Sequence, residues 1–135
     1  MPSRHTKKGR SKGGGSFLCL RHFMVDSPAW LSLSAGARAV YLEILRRYNG
    51  SNNGHLALSA RDAAERCRLN KDTVTRMIGE LCEKGFIELV VPGAFSRKVR
   101  HAAEYRLTVE RCDRTGAAPS KAFMKWRPEL PSKSK

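Results

Sequence analysis

Residues 58–87, LSARDAAERCRLNKDTVTRMIGELCEKGFI, decide how this chain is read. Ser59, with Asp62 three residues on, has the pattern of a capping box. It predicts a helix over Ala60–Cys67 with Ala63, Ala64 and Cys67 on its inner face. Arg68-Leu69-Asn70 makes a turn, and Asn70 then serves as N-cap for a second helix from Lys71 to about Lys84, with Gly85 as its C′ residue. Phe86–Val91 follows as a β-branched and aromatic strand ended by Pro92-Gly93. A short capped helix, a tight turn and a second helix with one apolar face form a helix-turn-helix. That arrangement can present polar side chains to a DNA major groove.

Working outward, Ser27-Pro28 predicts a short helix through Trp30 and Leu31, because proline at the first helical position follows a capping serine. Ser34 predicts a longer helix to about Tyr48, with Ala37, Val40, Tyr41, Ile44, Leu45 and Tyr48 on one face and Glu43 paired with Arg47 on the other. The run NGSNNG at 49–54 ends it, and His55–Leu58 reads as a short strand. Beyond the helix-turn-helix, a basic loop reaches about Arg100 and a return strand Ala103–Val109 turns Tyr105, Leu107 and Val109 to one side. The order helix, strand, helix, helix, strand, strand is that of a winged helix-turn-helix, mainly α with a small antiparallel β-wing (α+β).

This order divides the chain into a disordered basic arm at 1–15, a winged-helix domain at 16–110 and a partly packed C-terminal extension at 111–135. Within the domain, 16–33 form an N-terminal extension, 34–49 the first helix, 59–84 the helix-turn-helix and 86–109 the wing hairpin. The stretch FLCLRHFMV at 17–25 is apolar enough to be buried, but its period fits a strand as well as a helix. Phe123, Met124 and Trp126 interrupt a polar, basic tail and are expected to fold back.

A chain of 135 residues can bury a self-sufficient core without disulfides or metal. Its net charge of +14 favours a polyanionic partner. No apolar run approaches the roughly 18 residues of a membrane span. The basic N-terminus runs into Gly13-Gly14-Gly15 and an apolar stretch broken by Arg21 and His22, unlike a signal peptide, so the expected compartment is the cytoplasm. Cys19, Cys67, Cys82 and Cys112 form no CxxC pair and are expected to be reduced and structural. His5, His22, His55 and His101 stand at no nucleophile or metal spacing, and the triple glycine lacks the pattern of a phosphate loop. No enzyme activity, metal or cofactor is expected.

On the second helix Val74, Met77, Ile78 and Leu81 make one apolar stripe, which supports the helix and leaves the reading to other residues. The candidate DNA contacts are Asn70, Lys71, Asp72, Thr73, Thr75 and Arg76, the leading turn and the opposite side. Arg76 suits guanine in a bidentate contact; alternatively it is an exposed arginine paired with Glu80 or Glu83. Thr73 and Thr75 are candidate phosphate donors. Asp72 could favour the helix dipole or accept from a cytosine amino group. Gly79 costs the helix roughly 1 kcal/mol relative to alanine. In the wing, Arg97, Lys98, Arg100 and His101, with Phe95 near the tip, can lie along phosphates. In the arm, Arg4, Lys7, Lys8, Arg10 and Lys12 can contact phosphate or a minor groove.

Several stretches together carry a resemblance: DSPAW (26–30), LSAGARAVYLEILRRYNGSNNG (33–54), LNKDTVTRMIGELCEKGFI (69–87), GAFSRKVRHAAEYRLT (93–108) and PSKAFMKWRP (119–128). Over about residues 17–128 the chain resembles a family of small winged-helix proteins of proteobacteria, often carried on phages, plasmids or integrated elements. The resemblance implies a helix-turn-helix DNA-binding domain that regulates mobile-element genes. The 49–54 segment is also similar, more loosely, to DNA-binding domains of plasmid replication initiators. The expected partner is double-stranded DNA, with no membrane. Residues 17–33 could supply a homodimer interface or cover a monomer's core. The rival readings are a replication-associated DNA-binding protein and a protein–protein adaptor of the antiactivator kind on a winged-helix scaffold.

Overall fold

Four helices begin with the same device. The side-chain oxygen of Ser27, Ser34, Ser59 and Asn70 accepts the amide three residues on, that of Trp30, Ala37, Asp62 and Thr73. Each bond satisfies one of the amides that a helix start leaves without a partner. The helices so opened are α2 (Pro28–Leu31), α3 (Ala35–Arg46), α4 (Ala60–Cys67) and α5 (Lys71–Glu83), preceded by a single turn, α1 (His22–Val25). This computed structural model describes residues 15–95 and 100–128, Phe95 and Arg100 through their backbone alone.

The core forms where α3 crosses α4, α5 and a small sheet. Helix α3 buries Ala37, Val40, Tyr41, Ile44 and Leu45; α5 contributes Val74 and Leu81, and α4 contributes Ala63. Strands β1 (Leu56–Ala57), β2 (Ile87–Val91) and β5 (Glu104–Leu107) make an antiparallel sheet in the order β1-β5-β2. It pairs Leu56 with Tyr105 and Ile87 with Leu107. An irregularity between Leu89 and Val91 bends β2 as it leaves the core. Beyond the bend the basic stretch is not wholly loop, because Ala94–Phe95 (β3) pairs with Arg100–His101 (β4) and carries the hairpin outward. The fold is a winged helix-turn-helix.

The C-terminal segment completes this core. A 3-10 turn, Ala122–Lys125, delivers Phe123 onto Phe86 in a parallel stack with centroids 5.1 Å apart, and Phe86 meets Trp30 and Tyr41 edge-on. Gly85 is required there twice over. Its φ of +87° suits glycine, and a Cβ would come within 2.7 Å of the Ala122 and Phe123 backbone. Met124, expected to fold back with Phe123, is exposed instead.

Asn53 locks the loop after α3. It is fully buried, its Oδ1 accepts from the Leu107 amide at 2.7 Å, and its Nδ2 donates to the carbonyls of Leu107, Glu110 and Arg111. One side chain thus pairs the buried amide and carbonyl of Leu107 and ties in two carbonyls nearer the surface.

Two local expectations need correction. In FLCLRHFMV the structure buries Met24, while Phe17 is 78% exposed and Leu18, Leu20 and Phe23 are exposed as well. The reason is geometric: residues 15–21 take no regular structure, and the single turn that follows directs Met24 fully and Val25 partly inward. The capping box at Ser59 is half made. Ser59 caps Asp62, but among the described residues the Asp62 carboxylate makes no return bond.

Candidate nucleic-acid interface

Helix α5 is held to the core through Val74 and Leu81, and polar bonds fix its C-terminal half while the outer side of its leading turns stays exposed. Glu80 accepts from both the amide and the hydroxyl of Ser34, at 3.0 and 2.9 Å, and from Lys84 at 3.1 Å. Burial pushes the Glu80 carboxyl up, but the two Ser34 bonds and the Lys84 ammonium outweigh it and hold the group below its ordinary value. Lys84 also donates to the Ser32 carbonyl and lies 5.0 Å above the Trp126 ring. This network fixes the angle of α5 against α3 and the C-terminal segment.

The leading turns of α5 face the wing. Lys71, Thr75 and Ile78, on successive turns of α5, line an open cleft of about 840 Å³. The start of α4 (Ser59, Ala60, Arg61) and the wing base (Gly93, Ala94, His101, Ala102, Ala103) line the rest, with Leu58 and Tyr105. Arg61, Lys71 and His101 are exposed and form a basic rim over a floor rich in small residues. Gly93 lets the wing strands close up, since a Cβ would lie 3.1 Å from the Ala103 amide.

Individual side chains are partly committed within the helix. The oxygen of Asn70 is engaged by the cap, leaving its amide nitrogen for a partner. Thr75 donates its hydroxyl hydrogen to the Lys71 carbonyl at 3.1 Å, so it faces outward as an acceptor; this removes it as a phosphate donor. Thr73 accepts from Arg76 at 3.3 Å and keeps its own hydrogen to donate. Arg76 is exposed and forms no ion pair with Glu80 or Glu83 among the described residues, Glu80 being taken by Ser34 and Lys84. Asp72 is exposed and likewise makes no bond or ion pair within the described residues.

Of the wing candidates, His101 lies on the cleft, its Nδ1 within 3.3 Å of the Ala102 carbonyl. Arg100 is placed through its backbone in β4. Arg97 and Lys98, like the arm residues Arg4, Lys7, Lys8, Arg10 and Lys12, lie outside the described residues. Two exposed arginines of the helix-turn-helix, one of them on the cleft, were not among the sequence-based candidates. Arg61 borders the cleft only because the first turn of α4 folds beside the wing base. Arg68, exposed in the turn between α4 and α5, adopts φ +59° and ψ +45°. That left-handed geometry is unusual for a residue with a Cβ, and only a glycine there would have signalled it.

Residues 31–87 match the helix-turn-helix domain family. The match runs from the last residue of α2 to the first of β2, so it covers α3, α4, the turn and α5. It points to DNA as the partner. No curated protein and no solved structure matches the chain significantly. Among the described residues no helix is long and apolar enough to cross a membrane.

Proposed function

We propose that this protein binds double-stranded DNA sequence-specifically and regulates transcription of mobile-element genes in the bacterial cytoplasm. In this reading the leading turns of α5 enter the major groove. Lys71, Thr73 and Arg76, with the amide of Asn70, contact bases or position the helix. Arg97, Lys98, Arg100 and His101 follow the neighbouring backbone, and the basic residues of 1–15 add sequence-independent attraction. The observation that carries the reading is the cleft between α5 and the wing, with Arg61, Lys71 and His101 on its rim. Its floor of small residues leaves room for a sugar-phosphate strand. The mobile-element role draws its support from the sequence resemblance.

Selection of bound fragments from random duplex DNA tests the reading. An enriched motif is the expected result, and binding to it should weaken as salt rises. A pool that stays random, with binding indifferent to salt, would contradict it. The exposed Phe17, Leu18 and Leu20 favour a homodimer, which two-fold symmetry in the motif would report.

A further inference from the structure

Gly79 stands in the middle of α5, exposed, and beyond its own stretch of helix no atom of the described residues lies within 4 Å of where its Cβ would sit. The other described glycines have visible reasons. Gly15, Gly50, Gly54, Gly85 and Gly116 have positive φ. A Cβ at Gly36 would meet the Met77 sulfur at 3.0 Å, and one at Gly93 would press on the Ala103 amide. Gly79 has neither reason, and a glycine inside a helix weakens it relative to alanine.

Its position on the helix circumference is informative. At 3.6 residues per turn, the side of α5 that faces the core is marked by Val74, Met77 and Leu81, and Gly79 falls opposite them. Thr75 and Arg76 flank it one turn back, Asp72 lies two turns back, and Glu83 one turn on, all exposed. The outermost point of the helix is therefore bare backbone ringed by polar side chains.

Resting on the DNA-binding reading above, we propose that Gly79 is the point of closest approach between α5 and the floor of the major groove. A helix with its side chains is about 10–12 Å across and the groove about 12 Å wide and 8.5 Å deep, so a side chain at the outermost point sets how far the helix sinks. Without one, the backbone settles nearer the base edges, and Thr75 and Arg76, which flank it, reach bases on either side. Gly79 is thus a positioning residue for specificity that acts through the side chain it lacks.

The test compares the wild-type chain with Gly79→Ala and Gly79→Leu, both good helix formers. Each is measured on the duplex enriched by the wild type and on a scrambled duplex, alongside thermal melting. Both variants should melt a few degrees higher than the wild type, since the helix gains propensity. Affinity for the enriched duplex should fall, several-fold for alanine and roughly tenfold or more for leucine. Affinity for the scrambled duplex, which phosphate attraction dominates, should hold. A purely structural glycine would not raise stability and lower discrimination together. If the wild type enriches a motif and Gly79→Leu binds it equally well, the inference is wrong while the DNA reading stands. If the wild type enriches nothing, both fall.

Discussion

Arg76 concentrates the chemistry of the reading face. It is exposed, lies one turn into α5, and among the described residues has its side chain bonded to the Thr73 hydroxyl alone, so its guanidinium keeps most of its donors for a partner. Arg76→Ala should cost about 1–3 kcal/mol of specific binding and relax the preference at one position, measurable by repeating the selection with the variant. Arg68 gives a second residue-scale test. Its left-handed backbone costs about 1 kcal/mol or more, so Arg68→Gly should raise the denaturation midpoint. An unchanged or lowered midpoint would mean that the arginine side chain stabilises the turn by more than its backbone costs. The sequence made the two ends of this face unequally legible. The apolar stripe of α5 follows from spacing alone, because residues three and four apart share a helix side. The rim position of Arg61 was not legible, because it depends on α4 packing beside a strand some forty residues further along the chain.

At the scale of elements, α5 is packed along one side and further fixed by a polar clamp near its C-terminal end. The clamp is Glu80, which bridges Ser34 at the start of α3 and Lys84. Because its carboxyl lies below the ordinary value of 4.5, it contributes stability at neutral pH that is lost as pH falls below about that value. Glu80→Gln should therefore be less stable than the wild type by about 1–3 kcal/mol near pH 7, with the difference shrinking in acid. Chemical denaturation at several pH values reads both features, and a gap that widens in acid would refute the sign. The C-terminal 3-10 turn is an integral element of the same assembly. Phe123 is fully buried against Phe86, so Phe123→Ala should cost about 3–5 kcal/mol in the same assay. The sequence marked Phe123 as an apolar residue in a basic tail and Gly85 as a helix terminator. That the tail packs directly over that glycine is a long-range contact with no local signature. The wing was legible from its strands and Pro92-Gly93, but the pairing of Ala94 with His101 depends on a bend in β2 that alternation does not encode.

For the whole molecule, the charge is distributed in a way that separates two tasks. From Ala60 to Lys84 the helix-turn-helix carries six basic and five acidic residues, against a net +14 for the chain. The excess positive charge resides in the arm, the wing and the C-terminal third. Sequence-independent attraction should come mainly from those parts, and discrimination from the helix-turn-helix, where the exposed Asp72 and Glu83 penalise misplaced phosphates beside Lys71 and Arg76. Lys98→Ala should accordingly weaken binding to every duplex alike and reduce the salt slope by about 1. The most direct measurement is the ratio of wild-type affinities for the enriched duplex and for a scrambled one, taken at about 150 mM salt. A ratio of roughly a thousandfold or more is expected of a sequence-reading winged helix. A ratio near one would contradict the central claim, leaving a protein held to nucleic acid by charge alone.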